Sequence, residues 1–258
     1  MNIVVLLAGI ADPKWPLPPI ALDPITMRKA AHLAFSPFDE AALETGLQIR
    51  DAFPGSTLTV AMTGGPESEA LLRKAAAYKP TRAVRVDAAT LHPWDPRAQA
   101  AQLASSVQAL DDAATLIVIG REFGDYDWGA LAPSLAAALG WGFFGLAQHT
   151  KREGEALTLL REQGSLEDTL TVSAPLVVSV TNDRRNRLRH PLMKNVMEAK
   201  RLTLEVVTPP DAPVALTLDD ITPAPPPARA GQGRILSGPL EAQISELAAY
   251  LEGWRTQS

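Results

Sequence analysis

Thr115-Leu116-Ile117-Val118-Ile119-Gly120-Arg121-Glu122-Phe123-Gly124-Asp125-Tyr126-Asp127-Trp128 leads from a continuous apolar run through a glycine- and acid-rich stretch into an Ala- and Leu-rich helical pattern, which covers about residues 127–139 and ends before Gly140. Apolar residues in unbroken succession mark a strand covered on both faces, because an exposed face would demand alternation. Asn2–Leu7, residues 57–62 and Arg82–Val86 read the same way. Helical patterns lie between these runs. Residues 39–50 place Ala42, Gly46 and Ile49 on one stripe with Leu43 and Leu47 beside it. Pro66 suits the first turn of a helix reaching about Tyr78, and residues 97–110 space Leu103, Val107 and Leu110 by four and three. Strand–helix–strand alternation of this kind predicts an α/β fold, a parallel sheet with helices on both faces. Ligands of such sheets sit beyond the strand C-termini, here residues 8–12, 63–66, 86–96 and 120–127.

Beyond Gly140 the pattern changes. Residues 146–151, 156–162 and 167–172 are short strand-like runs separated by Glu153-Gly154-Glu155 and Gln163-Gly164, which predicts a small antiparallel hairpin or meander. Leu176–Val180 returns as a buried strand. Residues 209–227 are rich in proline and read as an extended arm, and residues 240–251 as a helix with Ile244, Leu247 and Leu251 on one stripe. The organisation expected is an α/β domain over residues 1–205 and an arm with a terminal helix over residues 206–258.

Composition narrows the chemistry. The 258 residues carry a net charge of −5 and no cysteine. An acidic chain is a poor partner for nucleic acid, and thiolate metal sites, iron–sulfur clusters, disulfides and cysteine nucleophiles are excluded. His32, His92, His149 and His190 show no i, i+4 pairing, so spacing offers no metal site. No apolar stretch approaches the roughly 18 residues of a membrane span, and the expected location is cytoplasmic.

Four local features bear on function. Phe35-Ser36-Pro37-Phe38-Asp39-Glu40 reads as a helix cap with Phe38 projecting from it. Thr63-Gly64-Gly65-Pro66 permits close backbone approach at a helix start, yet lacks a phosphate-loop pattern and serves equally as a tight turn. The acids of residues 120–127 suit helix caps or a ribose hydroxyl; without a His or Ser partner nearby no catalytic group is assigned. Asn186-Arg187-Leu188-Arg189-His190-Pro191-Leu192-Met193-Lys194-Asn195-Val196-Met197-Glu198-Ala199-Lys200-Arg201 mixes cations with Leu and Met after a strand. It is either a solvated basic loop running into a helix or a docking surface with an apolar anchor ringed by charge.

Taken in order, these features resemble the β (small) subunit of electron-transfer flavoproteins, from about Asn2 to Leu202. The residues that carry the resemblance are the first strand with Asp12, Pro37-Phe38-x-Glu40 followed by Ala42 and Leu43, Gly65-Pro66, residues 77–82, Leu139-Gly140-Trp141 and, above all, Asn186, Arg189, His190 and Asn195-Val196-Met197-Glu198-Ala199-Lys200; Arg229-Ala230-Gly231 before a terminal helix fits as well. The resemblance implies a Rossmann-like sheet of the adenine-nucleotide α-hydrolase type. It also implies a heterodimer with a larger α subunit that holds most of one FAD. Phe38 matches an aromatic near the flavin ring; a second aromatic expected just after Asp12 is replaced by Pro13, with Trp15 as a stand-in. Asn186, Arg189, His190, Leu192, Met193 and Met197 match the segment that grips a partner dehydrogenase.

Members of this family also bury AMP in the β subunit, and Leu6, Ser36, Phe38, Asp39, Gly64, Gly120, Asp125 and Asp127 match nucleotide-contacting positions. The family's polar Asn-Gln-Thr at the fourth helix start aligns with Gly129-Ala130-Leu131, so only backbone N–H groups are left there to receive a phosphate. Whether AMP binds stays open, and the same gap weighs against a second FAD. The function implied is an electron carrier, not a stand-alone enzyme, passing electrons from a flavin-dependent dehydrogenase to a quinone oxidoreductase. A nucleotide-binding or structural subunit without redox function is the alternative, and a small-molecule enzyme on the same sheet ranks last for want of a motif.

Overall fold

Strand β1 (Asn2–Leu7) buries five of its six residues, and its side chains part by the period of two. Ile3, Val5 and Leu7 join one apolar cluster, Val4 and Leu6 another on the opposite face. The computed structural model describes residues 1–16, 32–87, 95–127, 129–173, 175–210, 216, 219, 233 and 235–255. Around β1 lie β4 (Thr57–Thr63), β5 (Arg82–Val86), β6 (Leu116–Gly120), β7 (Gly142–Ala147), β11 (Leu176–Val180) and β12 (Glu205–Val207), in the order β12-β5-β4-β1-β6-β11-β7. Every pairing in this sheet is parallel. The expected α/β fold with helices on both faces is therefore the one observed.

Helices α1 (Pro37–Ala52) and α2 (Glu69–Ala76) cover the face of Ile3 and Val5 through Leu43, Leu47, Ile49, Leu71 and Leu72. Helices α3 (Pro96–Leu110) and α4 (Leu131–Leu139) cover the face of Val4 and Leu6 through Leu103, Val107, Leu131 and Leu135. Gly46 lets α1 lie directly on the sheet, since a Cβ there would stand 2.4 Å from Val5 Cγ2. The turn at Pro66–Ser68 is 3₁₀, and α2 proper begins at Glu69, later than the pattern predicts. Likewise α4 opens at Leu131; Asp127, expected as its first residue, stands ahead of it as a cap.

The small sheet is antiparallel, as expected, and comprises β8 (His149–Glu153), β9 (Ala156–Gln163) and β10 (Leu166–Thr171) in the order β10-β9-β8. Leu146 belongs elsewhere than expected. It sits in β7 beside β11, where the register shifts between Val178 and Val180, and its φ of 59° turns the chain out of the large sheet toward β8. Strand β12 was not anticipated, and it carries the sheet beyond residue 205. A two-stranded ribbon, β2 (Ile10–Ala11) with β3 (Leu33–Ala34), rises above the end of β1.

The chain divides into two compact units, Met1–Ile221 and Thr222–Ser258. In the second, α6 (Leu240–Arg255) buries no side chain, and Ile244, Leu247 and Leu251 of the expected stripe are exposed. Trp128, residues 88–94 of the loop after β5, most of the arm expected over residues 209–227, and Arg229-Ala230-Gly231 lie outside the described residues.

Candidate functional site

Two regions gather the residues singled out in the sequence: the crevice at the C-terminal ends of β1, β4 and β6, and the segment after β11. In the crevice the expected cap of α1 is present in full. Ser36 Oγ accepts from Asp39 N at 2.9 Å, and Asp39 Oδ2 accepts from Ser36 N at 3.0 Å. The Asp39 carboxylate reaches further, because Ala8 N donates to Oδ1 and Gly9 N to Oδ2, both at 3.1 Å. One buried side chain thus ties the end of β1 to the start of α1. Burial pushes the Asp39 carboxyl above its ordinary value, while the N–H groups of Ser36, Ala8 and Gly9 and the Ser36 side chain pull the other way.

Phe38 follows on the outer side of the same turn, half-buried. A Cβ at Gly120 would meet Phe38 Cβ at 2.8 Å, so only glycine lets β6 end this close to the first turn of α1. The Arg121 guanidinium lies 4.9 Å from the Phe38 centroid and pairs with Glu122 at 2.7 Å. Across the crevice, Asp12 Oδ1 accepts from Lys14 N at 3.0 Å and Asp12 O from Trp15 N at 3.1 Å, closing a turn that presents Trp15. The Trp15 indole is 53% exposed and stacks on His32 with centroids 4.2 Å apart. Asp125 Oδ1 accepts from Ala11 N at 2.9 Å and so joins the ribbon to the loop after β6.

The loops expected to receive an anion are occupied from within. Asp127 Oδ1 accepts from the N–H groups of Gly129, Ala130 and Leu131 at 2.9, 2.9 and 3.2 Å, and its Oδ2 from Phe123 N at 3.1 Å. At the Gly64–Gly65 turn, Gly65 N donates to Glu67 Oε1 at 2.8 Å. Gly64 O accepts from Arg85 Nη1 at 3.2 Å; that guanidinium is buried beneath the turn, beside Asp87 at 3.5 Å and Glu69 at 3.6 Å. The side chains of Leu6 and Leu131 have no exposed surface and lie in the core. The crevice therefore brings together Asp12, Phe38, Asp39, Gly64, Gly120, Asp125, Asp127 and the start of α4, while the side chains of Leu6 and Leu131 stand beneath it.

The second region begins where β11 ends. Asp183 and Asn186 cap each other, with Asp183 N donating to Asn186 Oδ1 at 2.7 Å, and Asn186 Nδ2 donates to Thr181 O at 2.8 Å. Arg185 holds the Asp183 carboxyl below its ordinary value against the opposing effect of burial. Arg189 is fastened to α1. Its Nη2 donates to Glu44 Oε1 at 2.8 Å, its Nε to Oε2 at 3.0 Å, its backbone N to Oε2 at 3.1 Å, and its Nη1 to Asp51 Oδ2 at 2.6 Å. These carboxylates, Glu44 foremost, raise the Arg189 guanidinium further above its already high value. Asn186 and Arg189, grouped in the sequence with docking residues, thus work inside the chain as fasteners.

Beyond them runs helix α5 (Met193–Ala199), which packs through Ala199 and Val196 against Ala76, Ala77 and Ala83 and is tied by a Lys79–Glu198 ion pair. Leu192, Met193 and Met197 point outward at 71%, 74% and 49% exposure, and His190 is exposed beside them. Helical spacing explains the split, since residues 193 and 197 share one face and residues 196 and 199 the other. Glu44 was missed in the sequence. It is 145 positions from Arg189, and on a helix it reads as an ordinary surface acid, although it is buried to 4% exposure. Among the described residues no group of His, Cys, Asp and Glu is placed to hold a metal ion, and no helix is long and apolar enough to cross a membrane.

A model of the electron transfer flavoprotein domain matches residues 26–235. The chain is similar to the mitochondrial electron transfer flavoprotein subunit beta of Oryza sativa subsp. indica, 30% identical over 210 residues that cover 80% of this chain and 81% of that one. It is similar to the subunit beta of Mycobacterium tuberculosis (strain ATCC 25618 / H37Rv), 31% identical over 214 residues, 80% and 79% of the two chains. The subunit beta of Bradyrhizobium diazoefficiens is 27% identical over 186 residues, 72% of each chain.

Proposed function

The chain belongs to the electron transfer flavoprotein family, and from that premise we propose that it is the β subunit of a heterodimeric, cytoplasmic electron carrier whose α subunit holds most of one FAD. On this reading electrons arrive from a flavin-dependent dehydrogenase and leave to a quinone oxidoreductase. The observation that carries it is the division of labour after β11, with Asn186 and Arg189 bonded inward and Leu192, Met193 and Met197 exposed on a braced helix. Exposed methionine and leucine on a rigid support, rimmed by Arg187, Lys194, Lys200 and Arg201, suit brief contact with an acidic-rimmed apolar patch. A carrier needs such brief contact, because it must release one partner before meeting the next.

The crevice residues fit a wall beside a flavin. Trp15 and Phe38 offer flat apolar surface at its rim, each held by a neighbour, His32 in one case and Arg121 in the other. The Asp12 turn positions Trp15, and the Ser36–Asp39 cap positions Phe38. FAD, when bound, supplies the redox chemistry by accepting and releasing electrons; the polypeptide orients it and shapes its surroundings. The arm and α6 would dock on the α subunit.

The test is co-expression with an electron transfer flavoprotein α subunit, followed by an absorbance spectrum and reduction by a dehydrogenase. One FAD per heterodimer, reducible by the dehydrogenase, is the expected result. A colourless chain that retains no partner would refute the carrier reading and favour a structural or nucleotide-binding subunit without redox function.

A further inference from the structure

The relatives' family buries AMP in the β subunit, and the residues of this crevice do not fit that group. We propose that this chain carries no AMP, its own carboxylates taking the backbone donors that a phosphate would need. The inference rests on the reading of the chain as an electron-transfer flavoprotein β subunit, and it concerns three loops.

At the start of α4, Asp127 binds the N–H groups of Phe123, Gly129, Ala130 and Leu131 at 2.9–3.2 Å. An anion at a helix N-terminus is held by these same groups. No side chain substitutes for them, because Gly129, Ala130 and Leu131 carry no polar side-chain atom. At the Gly64–Gly65 turn, the Glu67 carboxylate binds Gly65 N at 2.8 Å. It fills the space in front of that residue, where an added Cβ would stand 2.5 Å from Oε2. At the end of β1, Asp39 binds Ala8, Gly9 and Ser36 N–H.

Each loop that could cradle a phosphate thus presents a carboxylate, and like charges at close range repel. The flanking guanidiniums do not reverse this balance. Arg121 is paired with Glu122 and lies over Phe38, and Arg85 is flanked by Asp87 and Glu69 beneath Gly64. Asp127 does for α4 part of what a bound phosphate does elsewhere: its charge faces the positive end of the helix, and it takes the N–H groups of Leu131 and of the two residues before it. The domain then has no need of a nucleotide to be complete.

The first measurement is nucleotide release from the purified heterodimer, with AMP counted against FAD by chromatography. FAD without AMP is expected; AMP at parity with FAD overturns the proposal and leaves the carrier function standing. Should no FAD-bearing heterodimer form, the carrier reading fails, and the full-length chain is then titrated with AMP in a thermal-shift assay. At about 1 mM AMP a site of about 10 μM affinity would raise the folded-to-unfolded ratio about a hundredfold. No shift supports the proposal, and a saturable one overturns it.

The second measurement uses Asp127→Ala, which frees the four N–H groups. Inorganic phosphate and AMP, without effect on the wild type, should raise the variant's melting temperature. A folded variant that answers to neither overturns the assignment of Asp127 as stand-in. If the alanine variant does not fold, Asp127→Ser, whose short uncharged side chain cannot span all four N–H groups, is read in the same way.

Discussion

Replacing Arg189 by alanine should destabilise the domain well beyond an ordinary surface substitution, and the reason is the buried acid left behind. Arg189 donates to both oxygens of Glu44, whose side chain is 5% exposed, and to Asp51 at 2.6 Å. Removing one partner of a fully buried pair costs about 3–5 kcal/mol, because the other charge stays desolvated. The Arg189 side chain is itself 42% exposed, so water already screens part of the pair. About 2–3 kcal/mol is expected, or a fall of about 1 M in the urea midpoint for a domain of this size.

The asymmetry is the stronger test. Glu44→Gln keeps the volume and leaves Arg189 with Asp51 and solvent, so it should cost only about 1 kcal/mol. The double variant Glu44→Gln, Arg189→Ala should be more stable than Arg189→Ala alone, since no unpaired buried charge remains. A double variant as unstable as the sum of the two single changes would refute the reasoning. Although burial opposes them, Arg189 and Arg50 hold the Asp51 carboxyl below its ordinary 3.8. That contribution is in force above pH 3.8 and fades as pH falls through the lowered value, so the measurement belongs at neutral pH.

Met193→Asp should leave FAD content and melting temperature unchanged while slowing electron acceptance from the dehydrogenase about tenfold, as stopped-flow flavin reduction would register. Gly46→Ala should cost about 1–3 kcal/mol in urea unfolding despite the better helix propensity of alanine, because its Cβ would meet Val5 Cγ2 at 2.4 Å. Asp39→Asn leaves one carbonyl oxygen to face three buried N–H donors, and a loss of about 2–3 kcal/mol should follow in the same assay. Burial, with Arg185 and Lys151 nearby, lowers the His149 imidazole below its usual 6.5 against the pull of Asp183. The unfolded chain therefore binds a proton there first, and the wild type should lose stability as pH falls from 6.5 through the lowered value, a loss that His149→Leu removes from the melting curve.

The core strands were legible because each is short, predominantly apolar and bounded by turn residues; β1, β4, β5, β6 and β11 fall where the pattern predicts to within a residue. Strand β7 was not legible. Its Gly-Phe-Phe-Gly-Leu-Ala lies at a sheet edge and buries only part of itself, and the turn at Leu146 that detaches it from β8 follows from the bulge against β11. Strand β12 is three residues long, too short for any periodicity to declare. The start of α4 was misplaced for a chemical reason, since Asp127 reads equally as a first helical residue or as the cap that precedes one.

The candidate site divides in the same way. Local chemistry determined which residues cap, turn and run helical, because those preferences act within a few positions of the chain; the Ser36–Asp39 cap and the Gly65-Pro66 turn belong here. Where side-chain atoms point across the molecule was decided only by tertiary structure. Arg189 meets an acid 145 positions away because α1 and the segment after β11 lie side by side on the sheet. Asp39 meets Ala8 and Gly9 because β1 ends above the start of α1. Burial then converts a residue of ordinary appearance into a committed one, since a charge removed from water must find its partner wherever the fold has put one.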